Sequence, residues 1–240
     1  MSTVFHICRR EIIAFFSSLA GYVLVILFLG ISGFFTWLYG SDVFFIGQAN
    51  LNSFFNTAFW TLFFFIPAIT MRSLAEEKRS GTLEWLITHP VTEARVVLGK
   101  WLACWVLVAV SLLLTLPYYL TIAWLGPVDH GAAVGGYLGL LMISAIYIGI
   151  GIFASSLTVN QIVAYLIALF TGFVFHTLFD LISGTLTGTT STLLAYAGTT
   201  FHFETMARGV ISLDNMVYGL SVTAFSLCLA TVNLKRRLWL

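Results

Sequence analysis

Charge is the scarcest ingredient of this chain. Of its 240 residues, 9% are Asp, Glu, Lys or Arg and 59% are hydrophobic, with a mean hydropathy of +0.97. A water-soluble domain carries about a quarter of its residues charged. There is too little polar surface to coat a globule, so lipid is the solvent for much of the chain. Cysteine is sparse as well: Cys8, Cys104 and Cys228 show no CxxC spacing. They read as small apolar helix residues, which argues against a disulfide or metal framework. The phosphate-cradling pattern GxxxxGK[ST] is missing, because Gly99-Lys100 runs into Trp101. Any ATP that drives this protein is therefore bound by another chain. Apolar runs almost free of charge argue against a channel or pump for small inorganic ions. No internal repeat is visible and mid-run polar groups are few, which argues against a secondary transporter. The first apolar run is long enough to span and no small-residue cleavage site follows it, so it reads as a span rather than a cleaved leader.

What is present is six apolar runs, over 18–39, 54–74, 98–125, 134–157, 161–182 and 216–234. Each is near the ~20 residues that cross a bilayer as helix. Pro67 and Pro117 fall inside two of them and are tolerated in a bundle as kinks. With the N-terminus inside, Arg9, Arg10, Arg72, Lys78, Arg79, Arg95, Lys100, Lys235, Arg236 and Arg237 all fall on the cytoplasmic side. Arg208 alone falls outside, where the loops carry Asp42, Asp129, Glu204 and Asp214. The expectation is a single all-α integral membrane domain over 1–240, with six transmembrane helices and both termini cytoplasmic.

Three stretches do not span. Residues 1–16 mix Arg9, Arg10 and Glu11 with Phe5, Ile7, Ile12, Ile13, Phe15 and Phe16, a pattern for a helix lying in the interface. Residues 75–97 form the sizeable cytoplasmic loop. Glu76, Glu77, Lys78 and Arg79 read there as a solvated charged turn, and Gly81 as a break. A short helix follows with Leu83, Leu86 and Ile87 toward one side, ended by Pro90, and Thr92 caps the helix entering the third span. So much order in a loop suggests a docking surface for a cytoplasmic protein. Residues 183–213 begin small and polar, then become apolar with His202, Glu204 and Arg208 embedded. That apolar part is too short to cross, so an outer re-entrant or interfacial helix pair is expected before the last span. Gly209 would end that pair and Ser212 would cap the last span.

His176 and Asp180 lie four apart with Ser183 beyond, and a shared helix face invites a proton relay, a metal pair or a hydrolase. Two ligands are few for a metal, and one helix face does not bring three groups into contact. A polar pair that stabilises bundle packing is the simpler reading. Phe and Trp crowd the chain from Phe34 to Phe65. Lipid-facing bulk and an interfacial belt account for most of them. Phe59, Phe63 and Pro67 are the candidates for lining a path for an apolar or amphipathic substrate. Gly21, Gly30, Gly33, Ala58, Ala164, Ala168 and Gly172 permit close helix approach in the first, second and fifth spans, and suggest a dimer.

The segment EEKRSGTLEWLITHPVTEARVVLGK resembles the first intracellular loop of permease subunits of type-2 ABC exporters, and FHFETMARGVISLDN before a last span ending KRRLW resembles the same family. The likeness covers essentially the whole chain and is nearest to the short permeases of the gliding-motility-associated and copper-enzyme-maturation type. The resemblance implies two permeases, identical or related, facing each other in a bacterial inner membrane above a separate ATPase dimer. It implies that Glu76, Glu77, Gly81, Thr82, Glu84, Trp85, Leu86 and Pro90 couple to that ATPase. It makes the first interfacial helix a connecting helix, and His202, Glu204, Arg208 and Asp214 an outer gate. By the same likeness the chain is not an enzyme and binds no cofactor, because ATP and Mg belong to the partner. A periplasmic accessory protein is a further candidate partner, and nucleic acid is not. The alternatives are a non-transporting membrane scaffold or mechanotransmitting anchor driven by an ATPase, or a secondary transporter.

Overall fold

The computed structural model describes residues 2–38, 50–82 and 92–236. Within them every regular element is helical: α1 (Ser2–Ser17), α2 (Leu19–Trp37), α3 (Asn52–Thr70), α4 (Arg72–Arg79), α5 (Glu93–Leu113), α6 (Leu116–Leu125), α7 (His130–Leu157), α8 (Gln161–Phe173), a π turn (Val174–Leu178), α9 (Phe179–Thr185), α10 (Thr189–Ala197), α11 (Thr199–Ala207) and α12 (Leu213–Arg236). Five stretches are long and apolar enough to cross a bilayer: 52–79, 93–125, 130–157, 161–185 and 213–236. A sixth arises if the bent pair α1–α2 counts as one. The chain is an all-α integral membrane protein.

The bend between α1 and α2 is 75°. Ser18 makes it by leaving helical geometry (φ −100°, ψ 139°) and accepting from Gly21 N. Gly21 is required there, since a Cβ would sit 2.2 Å from the Phe15 carbonyl oxygen. Arg72 completes the corner with its guanidinium 5.2 Å from the Phe15 ring centroid.

Helix α7 is the axis of the bundle, touching α3, α4, α5, α8, α11 and α12. Its glycines make this possible. A Cβ at Gly135 would lie 2.2 Å from the Met206 carbonyl oxygen on α11, and one at Gly151 would lie 2.0 Å from Thr70 Oγ1 on α3. Lipid cannot drive apolar helices together, so close backbone approach and interhelical hydrogen bonds do. Trp101 and Trp105 on α5 each donate an indole N–H to α7, to the carbonyls of Ala145 and Leu141, both at 3.1 Å.

Both ends of the described chain lie at one end of the bundle. There Arg10 on α1 meets Glu77 on α4, and Asn233 near the end of α12 donates to the Ser156 carbonyl at the end of α7. We call this the basic end, because Arg9, Arg10, Arg72, Lys78, Arg79, Arg95, Lys100, Lys235 and Arg236 all belong to it, and Arg208 belongs to the far end.

Several sequence expectations need correction. Glu76–Arg79 is not a solvated turn, because α4 carries these residues as helix to Arg79. Ser155 Oγ on α7 braces the α3–α4 joint: it accepts from Leu74 N and Ala75 N, both at 3.0 Å, and donates to the Met71 carbonyl. The helix entering the next span starts at Glu93, directly after Thr92 as expected, but Thr92 makes no side-chain cap bond. The third run breaks at Leu114–Thr115, and Pro117 sits harmlessly in the first turn of α6. Asp129 is the N-cap of α7, its carboxylate accepting from Gly131 N and Ala132 N. Ala58, Ala164, Ala168 and Gly172 are buried within the chain, so their smallness serves internal packing. The expected roles of Leu83, Glu84, Trp85, Leu86, Ile87, Pro90 and Arg237 lie outside the described residues.

Candidate functional site

At the basic end, α1, α4 and α5 meet through charge. Lys100 lies two turns into α5 and is only 2% exposed. An ammonium taken out of water costs several kcal/mol unless it is paired (about that much per ion in real proteins). Lys100 Nζ is paired twice, to Glu77 Oε1 at 2.8 Å and Glu11 Oε1 at 3.1 Å. Arg10 Nη2 bridges the same two oxygens from the water side, at 2.8 Å to Glu11 and 3.2 Å to Glu77. Two cations and two carboxylates close a ring joining three helices. Burial by itself would raise the Glu11 carboxyl, but Lys100 and Arg10 outweigh it and hold it below the usual carboxylate range.

Beside the ring lies a cavity of about 240 Å³ lined by Phe15, Arg72, Ser73, Glu76, Glu77 and Lys100, among others. Glu77 Oε2 is buried with no partner among the described residues. Glu76 is exposed, one residue from the ring. The helix then stops: Ser80 Oγ lies 2.9 Å from Thr82 Oγ1, and Gly81 takes φ +71°, a left-handed geometry that suits glycine. Lys78 donates to the Ser156 carbonyl and so fastens α4 to the end of α7. Of the predicted coupling residues, the structure thus places Glu76, Glu77, Gly81 and Thr82 together on α4 and its C-terminal turn. Glu84, Trp85, Leu86 and Pro90 lie outside the described residues.

Sequence reasoning grouped Arg10 and Glu11 with an interfacial helix and Lys100 with the basic tally, and missed that they share one ring with Glu77. The available signal was Lys100 itself, a lysine inside an apolar helical run with no charge beside it.

The predicted outer-gate residues separate at the far end. His202 is a packing residue: Nδ1 lies 2.7 Å from Asn215 Oδ1, Nε2 lies 3.0 Å from the Tyr196 carbonyl, and its ring stacks on Tyr218 with centroids 4.0 Å apart. Glu204 and Arg208 pair at 3.1 Å on the exposed side of α11. Asp214 is exposed in the first turn of α12, where a carboxylate suits the helix dipole. Of the pathway candidates, Phe59 stacks on both His176 and Phe203, with centroids 4.3 and 4.5 Å apart. Phe63 also stacks on His176, whereas Pro67 is buried inside α3.

His176, Asp180 and Ser183 do not form a triad. His176 turns inward on the π turn, Nδ1 2.5 Å from the Tyr147 hydroxyl, and Ser183 Oγ donates to the Asp180 backbone carbonyl. A cavity of about 400 Å³ opens beside them, with His176, Asp180, Trp60, Asn56 and the Glu204–Arg208 pair in its wall.

A family model described as ABC-2 family transporter protein matches residues 45–232. No curated protein matches the chain.

Proposed function

The chain belongs to the ABC-2 transporter family, and from that premise we propose that it is the permease subunit of a two-permease exporter driven through its basic end by a separate ATPase. Membership already makes it a multi-pass membrane component of an ABC transporter. The finer reading is ours. The basic end is cytoplasmic, the far end faces the outside of a bacterial inner membrane, and a second permease of the same or a related kind completes the pathway. In this reading its resemblance along the chain puts it with the short gliding-motility-associated and copper-enzyme-maturation permeases.

The observation that carries this reading is the Arg10–Glu11–Glu77–Lys100 ring. A partner that supplies ATP energy must push on cytoplasmic structure, and the push must reach the spans without being absorbed by loose side chains. Here α4 continues α3 directly, and the ring ties it to α1 and α5. Displacement of the segment after Arg79 therefore moves three elements as one body. ATP and Mg bind the partner, and Glu84, Trp85, Leu86 and Pro90 provide contact with it.

Co-purification of a tagged ATPase is the test. Glu84→Lys and Leu86→Asp should lose the ATPase while the protein still inserts, since a like-charge or desolvated polar mismatch in an interface costs several kcal/mol (about 2–5). Asp214→Lys at the far end is the control. Asp129 is unsuited to that purpose because its removal uncaps α7. Retention of ATPase and coupled activity by the loop variants would sink the coupling assignment and favour a membrane scaffold.

A further inference from the structure

The far-end cavity is more than a gap between helices. Its wall includes His176, which is 1% exposed and carried on the π turn. Such turns insert one residue into an α-helix and mark functional sites more often than chance. Here the π turn sends the imidazole inward while Asp180 stays exposed on the same cavity.

The protons around His176 can be counted. Thr199 Oγ1 donates to the Phe175 carbonyl at 3.1 Å, and the Tyr147 hydroxyl lies 3.2 Å from Thr199 Oγ1 and 2.5 Å from His176 Nδ1. One distribution satisfies all three contacts: Thr199 gives its proton to Phe175, Tyr147 gives its own to Thr199, and Nδ1–H donates to Tyr147. In the neutral ring Nε2 is then a bare acceptor, and it has no partner among the described residues. Thr177 Oγ1 beside it is also buried without a partner. Both residues line the cavity. Buried polar atoms normally find partners, so a pair of orphans on a cavity wall calls for a guest that donates hydrogen bonds.

The rest of the wall narrows the guest. Glu204 is neutralised by Arg208, which leaves Asp180 as the charge in the wall without an ion-pair partner among the described residues. Phe55, Phe59, Trp60 and Phe203 supply aromatic surface, and Trp60 is 44% exposed. A carboxylate beside aromatic rings suits an ammonium. Asn56 and Trp60 belong equally to a second hollow of about 480 Å³ between α2 and α3, whose other walls are Ile31, Phe35, Thr57, Thr61 and Phe64. A polar chamber and an apolar groove thus share one wall.

We propose that the cavity and groove together bind a cationic amphiphile, with its ammonium head among Asp180, Trp60 and His176 and its aliphatic tail along Ile31, Phe35 and Phe64. The half-exposed Trp60 ring turns aside to admit the head to Nε2 and Thr177. As a transport substrate the amphiphile rests on the permease reading, but as a ligand it does not.

The test is equilibrium binding of dodecylammonium to the purified full-length protein in neutral maltoside micelles, with no ATPase present. Failure here leaves ATPase coupling untouched, and failure of coupling leaves this site untouched. Saturable binding is expected. Asp180→Asn should weaken it about tenfold or more, Asp180→Glu should keep it, and Trp60→Ala should weaken it by a similar factor. Dodecanol, with the same tail and no charge, should not compete. Butylammonium should compete at least about a hundredfold less well, because each buried methylene adds ~0.8 kcal/mol. Ethanolamine phospholipid mixed into the micelles should compete if the head comes from lipid, and only free amines should compete if it is a soluble amphiphile. Equal competition by dodecanol, or Asp180→Asn binding within about twofold of the parent, overturns the proposal.

Discussion

The ammonium of Lys100 and the carboxylate of Glu77 lie 2.8 Å apart, on two helices, α5 and α4, and 23 residues apart along the chain. Neither charge is comfortable alone. Lys100 is buried from water, and Glu77 keeps one oxygen buried without a partner among the described residues. Their pairing, shared with Glu11 and Arg10, joins α1, α4 and α5 at the basic end.

Lys100→Met should destabilise the protein by about 1–3 kcal/mol, because the two carboxylates lose their buried cation and share only the half-exposed Arg10. The triple variant Lys100→Met, Glu11→Gln, Glu77→Gln should recover much of that loss, since only the half-exposed Arg10 charge remains and water solvates it. Thermal unfolding of purified variants in detergent measures both. A single variant as stable as the parent would show that the ring is screened and mechanically idle.

The ring should loosen in acid. The Glu11 carboxyl is held below its ordinary range, so its contribution is complete above the unfolded value of about 4.3 and is lost as pH falls through the lowered folded value. Stability measured from pH 7 downward should therefore stay flat and then fall below about pH 4. Glu11→Gln should be less stable at neutral pH and show a shallower acid decline. Parallel profiles for the two proteins would contradict the assignment.

Gly135→Ala should cost about 1–3 kcal/mol, the usual range for overpacking. Its methyl would lie 2.2 Å from a backbone oxygen of α11, which cannot swing away as a side chain can. Gly30→Ala, where nothing among the described residues lies within 4 Å, is the matched control and should leave stability unchanged or slightly raised. Melting temperatures of the two variants decide the matter.

Topology is open to direct labelling. In a protein lacking Cys8, Cys104 and Cys228, a cysteine placed at Thr190 should react with an impermeant reagent from outside intact cells. One placed at Ser80 should react only after the membrane is opened. Both positions are exposed. The reverse pattern would invert the assignment of the basic end to the cytoplasm.

The amino-acid sequence by itself determined that this chain lives in lipid, where its helices run to within a few residues, and which end carries the basic charge. These are properties of composition and length along the chain: apolar runs near ~20 residues must be helical in a bilayer, because no water remains to satisfy their backbone groups. The short helices before the last span were legible for the same reason, since an apolar run too short to cross must fold back. Tertiary structure alone decided what the polar residues do. Glu76–Arg79 read as a turn because four charges in a row suggest solvent, yet helix α3 continues through Met71 into them and Ser155, far along the chain, braces the joint. His202 read as a polar residue embedded in a short apolar run, and its burial was not legible, because Asn215 and Tyr218 reach it from another helix. Lys100 looked like one more cytoplasmic cation, and His176 like half of a polar pair with Asp180. Only the meeting of separate helices buried the first against two carboxylates and turned the second into a cavity wall. A polar side chain's role depends on which groups stand across from it, and in a bundle those groups come from other helices, at distances along the chain that local pattern does not encode.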